Sequence, residues 1–122
     1  MNGPSDVLVD TNLIILGIGG NKAVRDLLEG RSLFISIITE IELLSLPFQR
    51  VDDERLMKDF ISNCYVVNLD DAIKNETIGL RKMYKIKIPD AIIAASSIVE
   101  QVPLYTADKG FSRITALHIV LY

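Results

Sequence analysis

Apolar positions along the chain follow two rhythms. Short apolar runs recur at Val7-Leu8-Val9, Leu33-Phe34-Ile35, Tyr65-Val66-Val67, Leu104-Tyr105-Thr106 and His118 to Tyr122. Their brevity and β-branched or aromatic content predict buried strands, the first ending at Asp10. Helical spacing fills the gaps. Asn21 to Glu29 carries Ala23, Val24, Leu27 and Leu28 as a stripe, with Gly30 placed to end it. Ile37 to Leu46 is apolar on more than one side, which predicts deep burial, and Pro47 stops it. Asp52 to Ser62 offers Leu56, Phe60 and Ile61 as one face. Asp70 caps a helix along which Ile73, Thr77, Leu80 and Tyr84 recur, and Asp71 belongs to the same start. Pro89 opens a last helix through Ile92, Ile93 and Ile98, where Ala91, Ala94 and Ala95 permit close approach to a sheet.

Strands joined through helices imply an α/β fold whose parallel sheet is covered on both faces. Two helices fit between the second and third strands, and two more between the third and fourth. In such sheets ligands collect beyond the carboxyl ends of the strands, where the strand order reverses. Chemistry is therefore expected there.

At 122 residues the chain fits one domain spanning 1–122. A 49% hydrophobic content and mean hydropathy of +0.31 argue against disorder. No apolar run approaches the roughly 20 residues that cross a bilayer. Met1 to Asp6 lacks the basic and apolar regions of a signal peptide, and Cys64, the only cysteine, excludes an internal disulfide. A cytoplasmic protein is expected. The net charge of -3 argues against a nucleic-acid partner until four carboxylates are assigned to a metal, which leaves +1 for the remainder. Arg81, Lys82, Lys85 and Lys87 also fall close together, as a solvated face or as a contact surface.

Asp10 ends the first strand in Val9-Asp10-Thr11-Asn12, and Asp108 follows the fourth in Tyr105-Thr106-Ala107-Asp108. Glu42 lies in the helix after the second strand and Asp90 in the first turn of the helix opened by Pro89. In a doubly wound fold all four can meet in one cleft. Crowded carboxylates raise one another's pKa unless a cation neutralises them. Magnesium or manganese suits an all-oxygen ligand set, stabilises phosphate charge and helps deprotonate water. Phosphodiester hydrolysis fits these parts. Each acid also has a structural explanation: a helix cap for Asp10, a helix-dipole partner for Asp90, a turn residue for Asp108. Glu42 is costly to bury unpaired in an apolar helix, and Glu40 competes with it for the cleft.

The chain resembles the PIN-domain family nearly end to end, especially the VapC-like toxins of bacterial and archaeal toxin-antitoxin modules. Four segments carry the resemblance: Val9-Asp10-Thr11-Asn12, Ser36 to Leu43, Ile88 to Ala95 and Tyr105 to Phe111. The family pattern Ser-x-x-Thr-x-x-Glu-Leu selects Glu42 over Glu40. Thr11, Asn12 and Thr106 match polar positions that support the acids, with Thr106 hydrogen-bonded to the cluster. The resemblance implies a three-layer α/β/α fold with a five-stranded parallel sheet. It implies a ribonuclease using one or two magnesium or manganese ions held by Asp10, Asp90, Asp108 and Glu42. It further implies a homodimer and inhibition by a small antitoxin. Arg81, Lys82, Lys85, Lys87, Lys109 and Arg113 are candidates for RNA phosphate contacts. The chain is somewhat short for the family, which suggests a trimmed loop.

Other readings meet specific obstacles. Gly17-Ile18-Gly19-Gly20-Asn21-Lys22 fails the spacing of both phosphate-loop patterns and reads as a flexible connection. His118 lacks zinc-ligand partners, and Cys64 reads as a small core residue. An aspartyl phosphatase of the haloacid-dehalogenase kind needs a second Asp where Asn12 stands, and a receiver domain needs paired acids that are missing. A catalytically silent interaction module of the same fold is the remaining alternative.

Overall fold

Consecutive residues of the first strand, β1 (Asp6–Val9), enter opposite halves of the interior: Val7 and Val9 one, Leu8 the other. This period-2 alternation marks a strand covered on both faces. The computed structural model describes Gly3 and residues 5–122. Met1, Asn2 and Pro4, part of the stretch read for a signal peptide, lie outside the described residues.

After β1 the chain runs through α1 (Thr11–Ile18), α2 (Lys22–Leu28), β2 (Ser32–Ser36), α3 (Ile37–Leu44), α4 (Val51–Ser62) and β3 (Tyr65–Val67). It continues with α5 (Asp71–Met83), α6 (Ile88–Glu100), β4 (Leu104–Thr106), a 3-10 turn (Lys109–Arg113) and β5 (Ile119–Leu121). The strands form one parallel sheet in the order β3-β2-β1-β4-β5. Leu8 of β1 pairs with Phe34 of β2 on one side and Leu104 of β4 on the other. The order therefore reverses beside β1, and the β1/β4 junction is the switch point where parallel sheets open a crevice.

Two apolar cores flank the sheet. On one face Leu8, Phe34, Val67 and Leu104 pack against α5 and α6 through Ile73, Leu80, Ile93, Ala94 and Ala95. On the other, Val7, Val9, Ile35 and Tyr105 meet Leu13, Ile14, Val24, Leu43, Met57 and Ile61 from α1 to α4. The alanines of α6 are fully buried, as close approach to the strands requires. Asp70 caps α5 by accepting from the Ile73 amide at 2.9 Å, and Pro89 occupies the first turn of α6. The five strands and the paired helices of the second and third crossovers match the sequence reading. Among the described residues no helix is long and apolar enough to cross a membrane.

Several expectations are corrected. Gly17 and Ile18 complete α1, Gly19 and Gly20 turn the chain, and Asn21 caps α2 through the Val24 amide. The segment is thus a helix end, a turn and a helix start rather than a flexible connection. Gly20 takes φ 104°, a left-handed conformation that favours glycine. In α2 Ala23 faces solvent, so Val24, Leu27 and Leu28 carry the packing. In α4 Leu56 is 64% exposed while Met57, Phe60 and Ile61 turn inward. The helix after β2 ends at Leu44 and is shallower than its composition suggests: Thr39 and Leu43 are its buried residues, and Ile41 is exposed.

Candidate active site

Asp10 follows β1 and is the N-cap of α1, and its two oxygens are oriented separately. Oδ1 accepts from the Thr11 amide at 2.8 Å, and Oδ2 accepts from Thr106 Oγ1 at 2.8 Å. Thr106 ends β4, the neighbouring strand, and its hydroxyl accepts from the Asp108 amide at 3.0 Å. One buried hydroxyl thus ties together the acids after β1 and β4. Asp108 in turn caps the 3-10 turn, its Oδ1 accepting from Gly110 N at 2.8 Å. The capping and turn roles considered for these residues are real, and they hold the carboxylates in place.

Glu42 reaches the same place from α3. Ser36 caps that helix by accepting from the Ile38 amide at 3.1 Å. Thr39 and Glu42, one helical turn apart, share a face and both meet Thr11 Oγ1, at 2.9 and 2.7 Å. A hydroxyl has one proton, and the carboxylate is the stronger acceptor for it. The Ser-x-x-Thr-x-x-Glu spacing therefore has a physical cause: a cap, then two residues stacked toward Thr11. Glu42 is itself exposed, so the burial penalty weighed for it does not arise. Glu40 does not line the cavity. Thr39, the threonine of that spacing, has no role of its own in the sequence reading; its hydrogen bond with Thr11 Oγ1 supplies one.

Asp10, Thr11, Asn12, Glu42, Asp90 and Asp108 line one hollow of about 250 Å³, with Ile15, Leu46 and Ile93 as its apolar wall. Asp90 arrives from the first turn of α6. Burial raises the Asp10 pKa; the bonds from Thr106 and Thr11 oppose this, and the charges of Asp90 and Asp108 add to it. Burial likewise raises Asp90, reinforced by Asp108 and Glu42 and opposed by Lys87. The four acids therefore feel one another across the hollow, an arrangement that a cation relieves.

The donors are all hard oxygen, which suits magnesium or manganese. Among the described residues no three acidic side chains are close enough to form a ready cage. An ion here would take one or two carboxylates directly and complete its shell with water, as magnesium commonly does. Residues and ion are compatible on those terms.

Of the basic candidates, Lys87 acts on the charge of Asp90, and Arg113 lines a neighbouring hollow with Asp90 and Asp108. Arg81 and Lys82 lie in the last turn of α5, Lys85 in the following loop, Lys87 at the N-cap of α6, and Lys109 and Arg113 at the two ends of the 3-10 turn. All are exposed. Arg81 Nε donates to the Ile86 carbonyl, bracing that loop. Away from the acids, Cys64 is half-buried with its thiol pushed up to about 11 by burial, and His118 is exposed just before β5. A larger hollow of about 530 Å³ is lined mainly by apolar side chains of α1, α2 and α4, including Ile14, Ile18, Leu28 and Phe60.

Comparison with known proteins bears on this arrangement. No curated protein sequence matches the chain. Among solved structures, a chain of a toxin-antitoxin complex from Klebsiella pneumoniae is 29% identical, with a TM-score of 0.82 over 93% of this chain and 95% of that one. A chain of VapBC2 from Rickettsia felis, bound to a DNA fragment from its promoter, gives 22% identity and a TM-score of 0.82 over 95% and 98%. VapBC-1 from nontypeable Haemophilus influenzae gives 24% and 0.79 over 95% and 97%. The last two likenesses speak to the fold. These chains are of similar length to this one, so the trimming expected from its size has no counterpart. The PIN domain family model matches residues 7–117, and the chain belongs to the PIN-domain family.

Proposed function

We propose that the protein is a magnesium- or manganese-dependent endoribonuclease, the toxin of a toxin-antitoxin pair. The single observation that carries this reading is the convergence of Asp10, Glu42, Asp90 and Asp108 on one hollow at the sheet's switch point. One or two divalent ions bound there would neutralise phosphate charge and acidify water. Asp10, Asp90 and Asp108 would hold such ions between them, each ion taking one or two of the carboxylates directly and water for the rest of its shell. Glu42, held by Thr11, acts as a ligand or as a water-orienting base. Thr106 and Thr11 keep Asp10 and Glu42 aimed while substrate enters, and Asn12 supplies a neutral polar group at the wall. The exposed basic residues of the α5–α6 region and the 3-10 turn hold the RNA backbone, which makes affinity salt-dependent. With Phe111 buried beside the acids, base stacking contributes little.

In this reading residues 1–122 act as one domain, as a homodimer in the cytoplasm. The family and the toxin-antitoxin neighbours support a small antitoxin as partner, and the apolar hollow beside α1 and α2 offers it a surface. That hollow is also the observation that favours the second reading, an interaction module without hydrolysis. Incubating purified protein with a structured RNA, in magnesium and then in excess chelator, separates them. The enzyme reading predicts discrete fragments that vanish with chelator; intact RNA in both arms supports the interaction module.

A further inference from the structure

A smaller hollow of about 140 Å³ adjoins the acidic one and is lined by Ile86, Asp90, Asp108, Gly110, Phe111 and Arg113. Asp90 and Asp108 line both hollows, so the two form one path across the acids. Arg113 ends the 3-10 turn, and its Nη2 donates to the Lys85 carbonyl in the α5–α6 loop. The anchor is a neutral backbone oxygen. Among the described residues Arg113 makes no ion pair, although two carboxylates line the same hollow. A guanidinium has five N–H donors in a planar fork, and most of this one's remain open to an incoming acceptor. Tyr84 Oη, 3.4 Å from Thr115 Oγ1, ties the loop to the segment after the 3-10 turn a second time. Arg113 is therefore held in place beside the acids without spending its charge on them.

What such a hollow accepts follows from its walls. Phe111 is 2% exposed, so it offers no open ring for a base. The Gly110 amide is already committed to Asp108. A fixed, unpaired guanidinium in a small hollow suits a phosphate bidentately. We infer that this hollow is a subsite for a phosphate of the RNA backbone next to the scissile one, bound by Arg113 as a substrate-contacting residue. The inference rests on the phosphodiesterase reading of the Asp10 hollow. Arg113 reads backbone charge and spacing there, without base identity, and so sets where the chain lies relative to the acids.

The test uses the full chain and a defined single-stranded oligoribonucleotide, with steady-state cleavage measured at several salt concentrations. Arg113→Gln is expected to lower kcat/KM about tenfold, carried by KM. It should also flatten the salt dependence by about 0.7, the share of one phosphate contact on a single strand. Arg113→Lys should restore the salt slope and part of the affinity. A substrate with one neutral methylphosphonate linkage beside the cleaved bond should cost the wild type a similar factor and cost Arg113→Gln almost nothing. An Arg113→Gln protein with wild-type KM and salt slope overturns the subsite. So does one whose loss lies in thermal stability and kcat while it responds to the methylphosphonate like wild type. Failure of the wild type to cut RNA sinks the underlying reading instead, whereas wild-type cutting with a charge-indifferent Arg113 sinks only the subsite.

Discussion

Thr106 Oγ1 donates to Asp10 Oδ2 at 2.8 Å, joining the ends of β4 and β1 across the switch point of the sheet. The same oxygen accepts from the Asp108 amide, so one side chain sets the spacing of two acids. Both partners are buried, and removing the hydroxyl leaves unpaired polar groups behind. Thr106→Val is expected to cost about 1–2 kcal/mol, read as a drop in the melting temperature. Cleavage should fall more than tenfold, and Thr106→Ser should recover most of it. Full activity in Thr106→Val would remove this bond from the account.

The charges in the hollow make a prediction about pH. Asp90 has its pKa raised by burial and by Asp108 and Glu42, so the folded chain binds this proton more tightly than the unfolded one. Its contribution to stability is present in full below the unfolded value of about 4 and is lost as pH rises through the higher folded value. At neutral pH the ionised group opposes folding of the metal-free protein. Asp90→Asn should therefore raise the melting temperature in chelator at pH 7, by roughly 2 °C for a partly exposed group. The advantage should shrink as pH falls. A calorimetric pH series checks this, and a lower melting temperature for Asp90→Asn at pH 7 contradicts it.

How much of this was legible in the sequence depended on how strongly each feature constrains its neighbours. Val7-Leu8-Val9 and Tyr65-Val66-Val67 announce strands because β-branched residues crowd a helix and fit a pleat. Asp10 and Asp108 could be placed at the carboxyl edge because the first strand ends directly before Asp10 and the Leu104–Thr106 strand ends two residues before Asp108. The helix α1 was obscured by its composition: Leu13 to Leu16 is apolar without a polar face, and three nearby glycines read as a break. The 3-10 turn is too short to show any period. Leu56 and Met57 are adjacent and equally apolar, so only packing tells which turns inward. Glu42 was chosen by resemblance; its bond from Thr11 Oγ1, which Thr39 also meets, supplies the reason.

Cation binding has its own signature, independent of turnover. A ligand that binds the folded chain alone stabilises it, by about 2.7 kcal/mol at a hundred times its Kd. Manganese or magnesium should raise the melting temperature, and the rise should be largely lost in Asp108→Asn. An equal rise in wild type and Asp108→Asn would move the cation elsewhere.

Packing beneath the site is open to a direct test. Ala95 of α6 is fully buried in the core on the sheet face covered by α5 and α6. Ala95→Leu should cost about 1–3 kcal/mol by overpacking. Because α6 carries Asp90, it should also weaken manganese binding. Denaturant unfolding alongside a metal titration measures both, and an unchanged midpoint would show that the helix has room.

The most direct test of the central claim is the cleavage rate of one defined RNA by wild type and by Asp10→Asn, each with magnesium and with chelator. Asn keeps the size of Asp10 and one acceptor oxygen but removes the charge that a cation needs. The account predicts cleavage by wild type in magnesium, a fall of at least about a hundredfold in Asp10→Asn, and none by either protein in chelator. Metal-independent cleavage, or an Asp10→Asn protein as active as wild type, would contradict it.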